Sequence, residues 1–148
     1  MNAPSHEILK RIAAGTAGPA EAAWLRQRLA AYLEAPERGL DAALYLNCMP
    51  GEPPWWLAER RRERDGLILR LWRERFPTLS AWDAAERIVT VHQRYAAAAW
   101  LHHRHRDTPP DDPTAALLWK AMRLGVRFPT SRRRVFEILK TAGRDALY

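Results

Sequence analysis

The chain has 148 residues, with 24 Lys+Arg against 17 Asp+Glu, 47% apolar residues, seven tryptophans and one cysteine. That length suits one compact domain with a small appendage, and the apolar fraction is too high for a disordered chain. A lone cysteine excludes an internal disulfide, and the net charge of +7 favours a polyanionic partner without naming a fold. The start, MNAPSHEILKRI, has no apolar core after its charges, so no signal peptide is expected. The longest apolar run, 96–101, is only six residues, so the expectation is a cytoplasmic chain with no membrane span.

Ala, Leu, Arg and Glu dominate and period-two alternation is nearly absent, which predicts helices separated by proline and glycine. Ser5 is expected to cap a short helix ending at Gly15, with Ile8, Leu9, Ile12 and Ala13 on one face. Pro19, just after Gly18, opens a second helix whose stripe is Ala22, Leu25, Leu29, Tyr32 and Leu33. A short helix is expected over 40–46, ending in the turn-rich NCMPGEPP.

Pro54 opens a long helix through Phe76, closed by Pro77, with Gly66 as a place where it can split in two. Its middle, ERRRERD at 59–65, is polar on every face and reads as a solvated stretch between two buried ends. A backbone-contacting patch is the sharper alternative. Trp55 and Trp56 are expected to be buried as a lid on the core. Ser80 with Asp83 is a helix-capping signature. Beyond it Trp82, Ala85, Val89, His92, Ala96, Ala99 and Trp100 form the predicted inner stripe.

HRDTPPDDP at 105–113 is the clearest linker, and the chain reads as a helical body, 1–106, with a C-terminal unit, 107–148, packed on it, or alternatively as one single domain. The body is neutral over residues 1–50, whereas the window 123–140 holds six basic groups and one acid, Glu137. Asp112-Pro113 caps and opens a helix with Leu117, Leu118, Ala121 and Leu124 inward, and Gly125 ends it at positive φ. Val126 to Pro129 make the turn. Thr130 or Ser131 caps a last helix, ending at Gly143, whose Ser131, Val135, Ile138, Leu139 and Ala142 face inward. Arg133, Glu137, Lys140 and Arg144 lie opposite.

The string Gly125-x-x-x-Pro129-Thr130-Ser131-Arg132-Arg133-Arg134-Val135-Phe136 resembles the turn and recognition helix of helix-turn-helix modules in phage-encoded and transposase-like DNA-binding proteins. The resemblance covers about residues 112–144, and its turn is longer than the common form. It implies an all-α bundle of six or seven helices with a C-terminal helix-turn-helix that docks in the major groove of double-stranded DNA. The implied role is that of a small transcriptional regulator or an accessory to a DNA transaction. Arg132, Arg133 and Arg134 are the expected main contacts, since a guanidinium fork can donate twice to guanine. Arg127, Thr130, Ser131 and Lys140 are expected on phosphates, with Glu137 on the same face. The body would set orientation and offer a surface for a homodimer or a protein partner. The rival reading is a helical interaction module that uses its basic face or a Trp-rich surface.

Other signals carry less. His102, His103 and His105 lack partner ligands at metal-binding spacing and read as a polar helix end, or as a weak phosphate-contacting patch, so no metal and no cofactor is expected. His105-Arg106-Asp107 lacks every other kinase element. Cys48, in an apolar setting, reads as a buried structural thiol. No hydrolase, zinc-protease or P-loop string occurs, so no enzyme is expected.

Overall fold

A computed structural model describes residues 3–46 and 52–145, with side chains described through Thr141. Cys48, the turn around it, and the side chains of Ala142 and Arg144 lie outside what is described. Among those described, the chain is all-helical, with eight α-helices and no strand. None of these helices is long and apolar enough to cross a membrane.

The chain divides into two compact units, Met1–Trp56 and Leu57–Tyr148. The expected boundary at 106/107 therefore falls inside the second unit. Its physical reason is a shared core: Leu67, Ile68 and Leu71 bury with Ile88, Leu118, Val135 and Leu139 in one cluster. Detaching residues 107–145 would expose half of that cluster.

In the first unit α1 spans Ser5–Ala13 and α2 spans Pro19–Glu34. A 3-10 turn at Pro36–Arg38 leads to α3, Leu40–Ala43. Pro19 stands at the first helical position of α2, and the Glu21 carboxylate reaches back to accept from the Gly18 N–H at 3.0 Å. Glu21 also pairs with Arg11 of α1, which holds its carboxyl below the usual range. The apolar interior is small. Ile8 and Leu44 are buried, whereas Leu29, Leu33, Leu40 and Tyr45 are exposed. The α2 stripe expected to face inward is thus only partly covered, and no α2 residue is fully buried.

The second unit is built on α4, Trp55–Arg70, and α5, Ala81–Ala97. Gly66 does not split α4. The helix continues through it into a π-helical turn, Leu71–Arg75, before Pro77. Ser80 caps α5 as its sequence suggests, accepting from the Asp83 N–H at 3.1 Å. The buried face of α5 is Ala84, Ala85, Ile88, His92 and Tyr95. This face is rotated from the expected stripe. Trp82, predicted inward, is 45% exposed. The backbone breaks at Ala98 (φ −128°, ψ −77°), and a short α6 follows over Ala99–His103.

Asp112 caps α7, Pro113–Arg123, by accepting from the Ala115 N–H at 2.7 Å. Gly125 takes φ +68°, the left-handed conformation expected of it. Eight residues, 124–131, then connect α7 to α8, Arg132–Asp145. The connection is longer than the expected four-residue turn because it is itself part of the core. Val126 and Phe128 turn inward and bury, and a proline at 129 disfavours helical backbone at the residue before it. α8 packs chiefly on α5, while α7 packs on α5 and on the π turn. The two last helices thus meet the core side by side through α5. The last helix continues past Gly143 to Asp145.

Candidate functional site

α8 is amphipathic in the way that its spacing requires. Val135, Ile138 and Leu139 are buried. Ser131 is not an inward residue, as expected from the stripe, but the N-cap, with its hydroxyl accepting from the Arg134 N–H at 3.3 Å. Thr130 beside it is exposed. Arg133 lies on the solvent face with its side chain 87% exposed, and Lys140 is exposed on the same face. Glu137 sits between them and accepts from Arg133 Nε at 3.4 Å and from Arg134 Nη1 at 3.2 Å. Such surface pairs are worth about 0–1 kcal/mol, so an incoming anion can exchange for Glu137 at little cost.

Arg132, also expected as a main contact, behaves differently from its neighbours. Its guanidinium lies over the Trp82 ring at 4.2 Å. Its Nε donates to the Trp82 carbonyl at 3.1 Å, and its two terminal nitrogens meet Asp83 at 3.2 Å and Glu86 at 3.1 Å. Phe136 packs edge-on against the same Trp82 ring at 5.2 Å. Arg132 therefore ties the start of α8 to the start of α5, and its fork is already used.

The connection before α8 is held from two sides. Arg64 of α4 is 8% exposed, although it lies in the stretch expected to be solvated. Its Nη1 donates to the Arg127 carbonyl at 2.5 Å, and its other nitrogens donate to Asp65. From α5, His92 stacks on Phe128 with ring centroids 4.0 Å apart and planes 9° from parallel. His92 Nδ1 is buried without a hydrogen-bond partner, and burial lowers the imidazole pKa. The neutral ring is thus favoured. The Arg127 side chain itself is exposed.

Arg64 brings α4 alongside the connection and α8. Two open cavities, of about 450 and about 460 Å³, run between them and share Arg134 as a wall. Arg61 and Arg127 line the cavity beside Thr130 and Ser131, and Arg62 lines the cavity beside Glu137 and Thr141. Arg61 and Arg62 were not singled out individually from sequence. The run of like charge at 60–62 was the signal that pointed to them.

The remaining candidates sit apart from this surface in function. The His103 ring is within 3.0 Å of the Tyr95 hydroxyl, and its carbonyl accepts from Trp119 Nε1 at 2.8 Å. His105 accepts from Arg104 Nε at 3.0 Å. His103 thus bridges α5, α6 and α7, and His105 is engaged by its chain neighbour. Trp55 is half-buried and stacks on His6 at 5.0 Å, whereas Trp56, expected to be covered, is 45% exposed. A residue at the start of a helix has one side facing outward unless a second layer covers it, and nothing in the pattern of Pro-Pro-Trp-Trp specified that layer.

No protein-family model, curated protein or solved structure matches this chain.

Proposed function

We propose that the chain binds double-stranded DNA by laying the outer face of α8 in the major groove, as a small transcriptional regulator or an accessory to a DNA transaction. One observation carries the reading: Arg133 and Lys140 are exposed on one face of a helix whose opposite face, Val135, Ile138 and Leu139, is fully committed to the core. A helix of about 10–12 Å diameter fits a groove about 12 Å wide. The buried face supplies rigidity, and the exposed face supplies donors for base edges and phosphates. Thr130, Ser131 and Arg127 stand at its entry, where phosphate is favoured by the helix dipole. With its long connection, the α7–α8 pair is read as a variant helix-turn-helix. Arg132 is left out of the contact set.

A second reading, a helical module for a protein partner, draws on Leu33 at 76% exposure and Trp56 at 45% in the first unit. A large exposed apolar side chain is a common anchor in such modules.

Titration of random duplex DNA across salt concentrations separates the two. The DNA reading expects steep loss of affinity with salt, at a log–log slope of about −0.9 per phosphate contacted. Arg133→Ala and Lys140→Ala should each weaken binding while the helical content and melting temperature stay unchanged. Full affinity in both variants, or no binding by the wild type near about 50 mM salt, would remove the DNA reading.

A further inference from the structure

We propose that the α4–α8 groove is a one-sided phosphodiester clamp, in which Arg61, Arg62, Arg127 and Arg134 grip the backbone of one DNA strand. The inference rests on the DNA reading above and adds the strand, the flank and the residues that hold it.

The geometry starts from α8. At about 100° per residue, Arg133, Glu137 and Lys140 share the outer face, Arg134 and Thr141 stand on one flank, and Arg132 and Phe136 stand on the other. A helix that fills the major groove places its two flanks beside the two sugar–phosphate backbones. The flanks of α8 differ in character. On the Arg134 side stands α4, whose Arg61 and Arg62 are exposed and have no ion-pair partner among the described residues. Arg127 joins them from the connection.

The acids that line the two cavities are Asp65 and Glu137, while Glu59 and Glu63 of α4 line neither. Asp65 is taken by Arg64, and Glu137 is shared by Arg133 and Arg134. The surplus is therefore cationic. On the Arg132 side stand Asp83 and Glu86, with side chains 60% and 62% exposed and both paired with Arg132, and the exposed Arg87 lies one turn along α5 from Asp83. Two acids against two arginines leave that flank without the cationic surplus that a phosphate row needs. Rigidity favours the clamp as well, because the buried Arg64 fastens α4 to the Arg127 carbonyl and so fixes the groove wall before any ligand arrives. A backbone frame fixed in advance confines the ordering cost of binding to the arginine side chains.

The test compares salt slopes for a random duplex, measured by fluorescence anisotropy on the full chain. Each lost phosphate contact should flatten the slope by about 0.9. Arg61→Ala/Arg62→Ala should therefore flatten it by about 1.8, so that the affinity lost between about 50 and 200 mM salt is about 12-fold smaller than for the wild type. Arg127→Ala, on a different segment, should flatten it by about 0.9, and this second variant keeps the test open should the double variant fail to fold. Arg132→Ala, on the opposite flank, should keep the wild-type slope. Wild-type slopes in the first two variants, with Arg133→Ala and Lys140→Ala still weakened, would overturn the clamp and leave the α8 reading standing. Flattened slopes with silent Arg133 and Lys140 would keep the groove as a polyanion seat and overturn the α8 reading. Absence of wild-type binding overturns both.

Discussion

Arg64 offers the sharpest test of how the site is held. It lies in the most polar stretch of the chain, yet its guanidinium is buried and spans α4 and the Arg127 carbonyl. Truncation by Arg64→Ala removes a charge-assisted hydrogen bond, worth about 1.5–3 kcal/mol. It also strips two buried methylenes, at about 0.8 kcal/mol each. The pair with Asp65 adds about 0–1 kcal/mol, since that carboxylate is one-third exposed. Against these stands the relief of a desolvated charge, so a net loss of about 2–4 kcal/mol is expected. For a unit of this size that lowers Tm by roughly 10–20 °C. Arg64→Met keeps the stem and should recover about 1–2 kcal/mol of the loss. Arg61→Ala, three residues away and exposed, should stay within about 0.5 kcal/mol of wild type. Thermal melts followed by circular dichroism at 222 nm make the comparison. Equal melting temperatures for Arg64→Ala and Arg61→Ala would refute the claim that the arginine anchors the connection.

Further outcomes follow from the same contacts. Burial lowers the His92 pKa below its ordinary 6.5, so the unfolded chain takes up its proton first as pH falls. Stability should therefore decline from about pH 6.5 downward, and His92→Phe should flatten that part of the pH–stability curve measured in urea. A wild-type slope in His92→Phe would contradict this. Gly125→Ala should cost about 1–2 kcal/mol from its left-handed backbone alone, because the nearest atom to an added Cβ is Arg60 Nη1 at an ordinary 3.9 Å. Gly125→Asn should cost less, which a melt of both variants checks. Arg132→Ala should destabilise by about 1–2 kcal/mol through loss of the Trp82 stack and its carboxylate pairs, and shift tryptophan emission to the red. Emission and stability both unchanged would show that the tether contributes nothing.

The parts of this fold that could be read from sequence are those governed by local chemistry. Pro19, Ser80, Asp112 and Gly125 each act within a few residues, and each performs the role that its type and position suggest. The inner stripe of α8 was legible because three apolar residues at helical spacing sat among arginines. What was not legible depends on partners distant in sequence. Arg64 looks solvated until Arg127, 63 residues later, supplies a carbonyl. The buried face of α5 turned away from Trp82 because Arg132 and Phe136 cover that ring from outside the core. The α2 stripe has the period of a buried helix, yet the first unit offers too few apolar partners to cover Leu29 and Leu33. The domain boundary was placed at the most loop-like segment, whereas the units divide after Trp56, inside α4 and ahead of the shared core that starts at Leu67. Of the site residues, Arg133 and Lys140 stand where helical periodicity put them. Arg132 differs because periodicity cannot tell a solvated flank from one facing Asp83 and Glu86.

The central claim is that particular arginines of α8 and α4 meet DNA while others hold the fold. Nuclear magnetic resonance of the arginine Nε–Hε groups, recorded as a short duplex is added at low salt, reads this directly. The account predicts that the Arg133, Arg134, Arg61 and Arg62 signals shift with the duplex, while those of Arg64 and Arg132, already engaged with Asp65 and with Trp82, stay in place. Shifts confined to Arg64, Arg132 or the arginines of the first unit, or none at equimolar duplex, would contradict it.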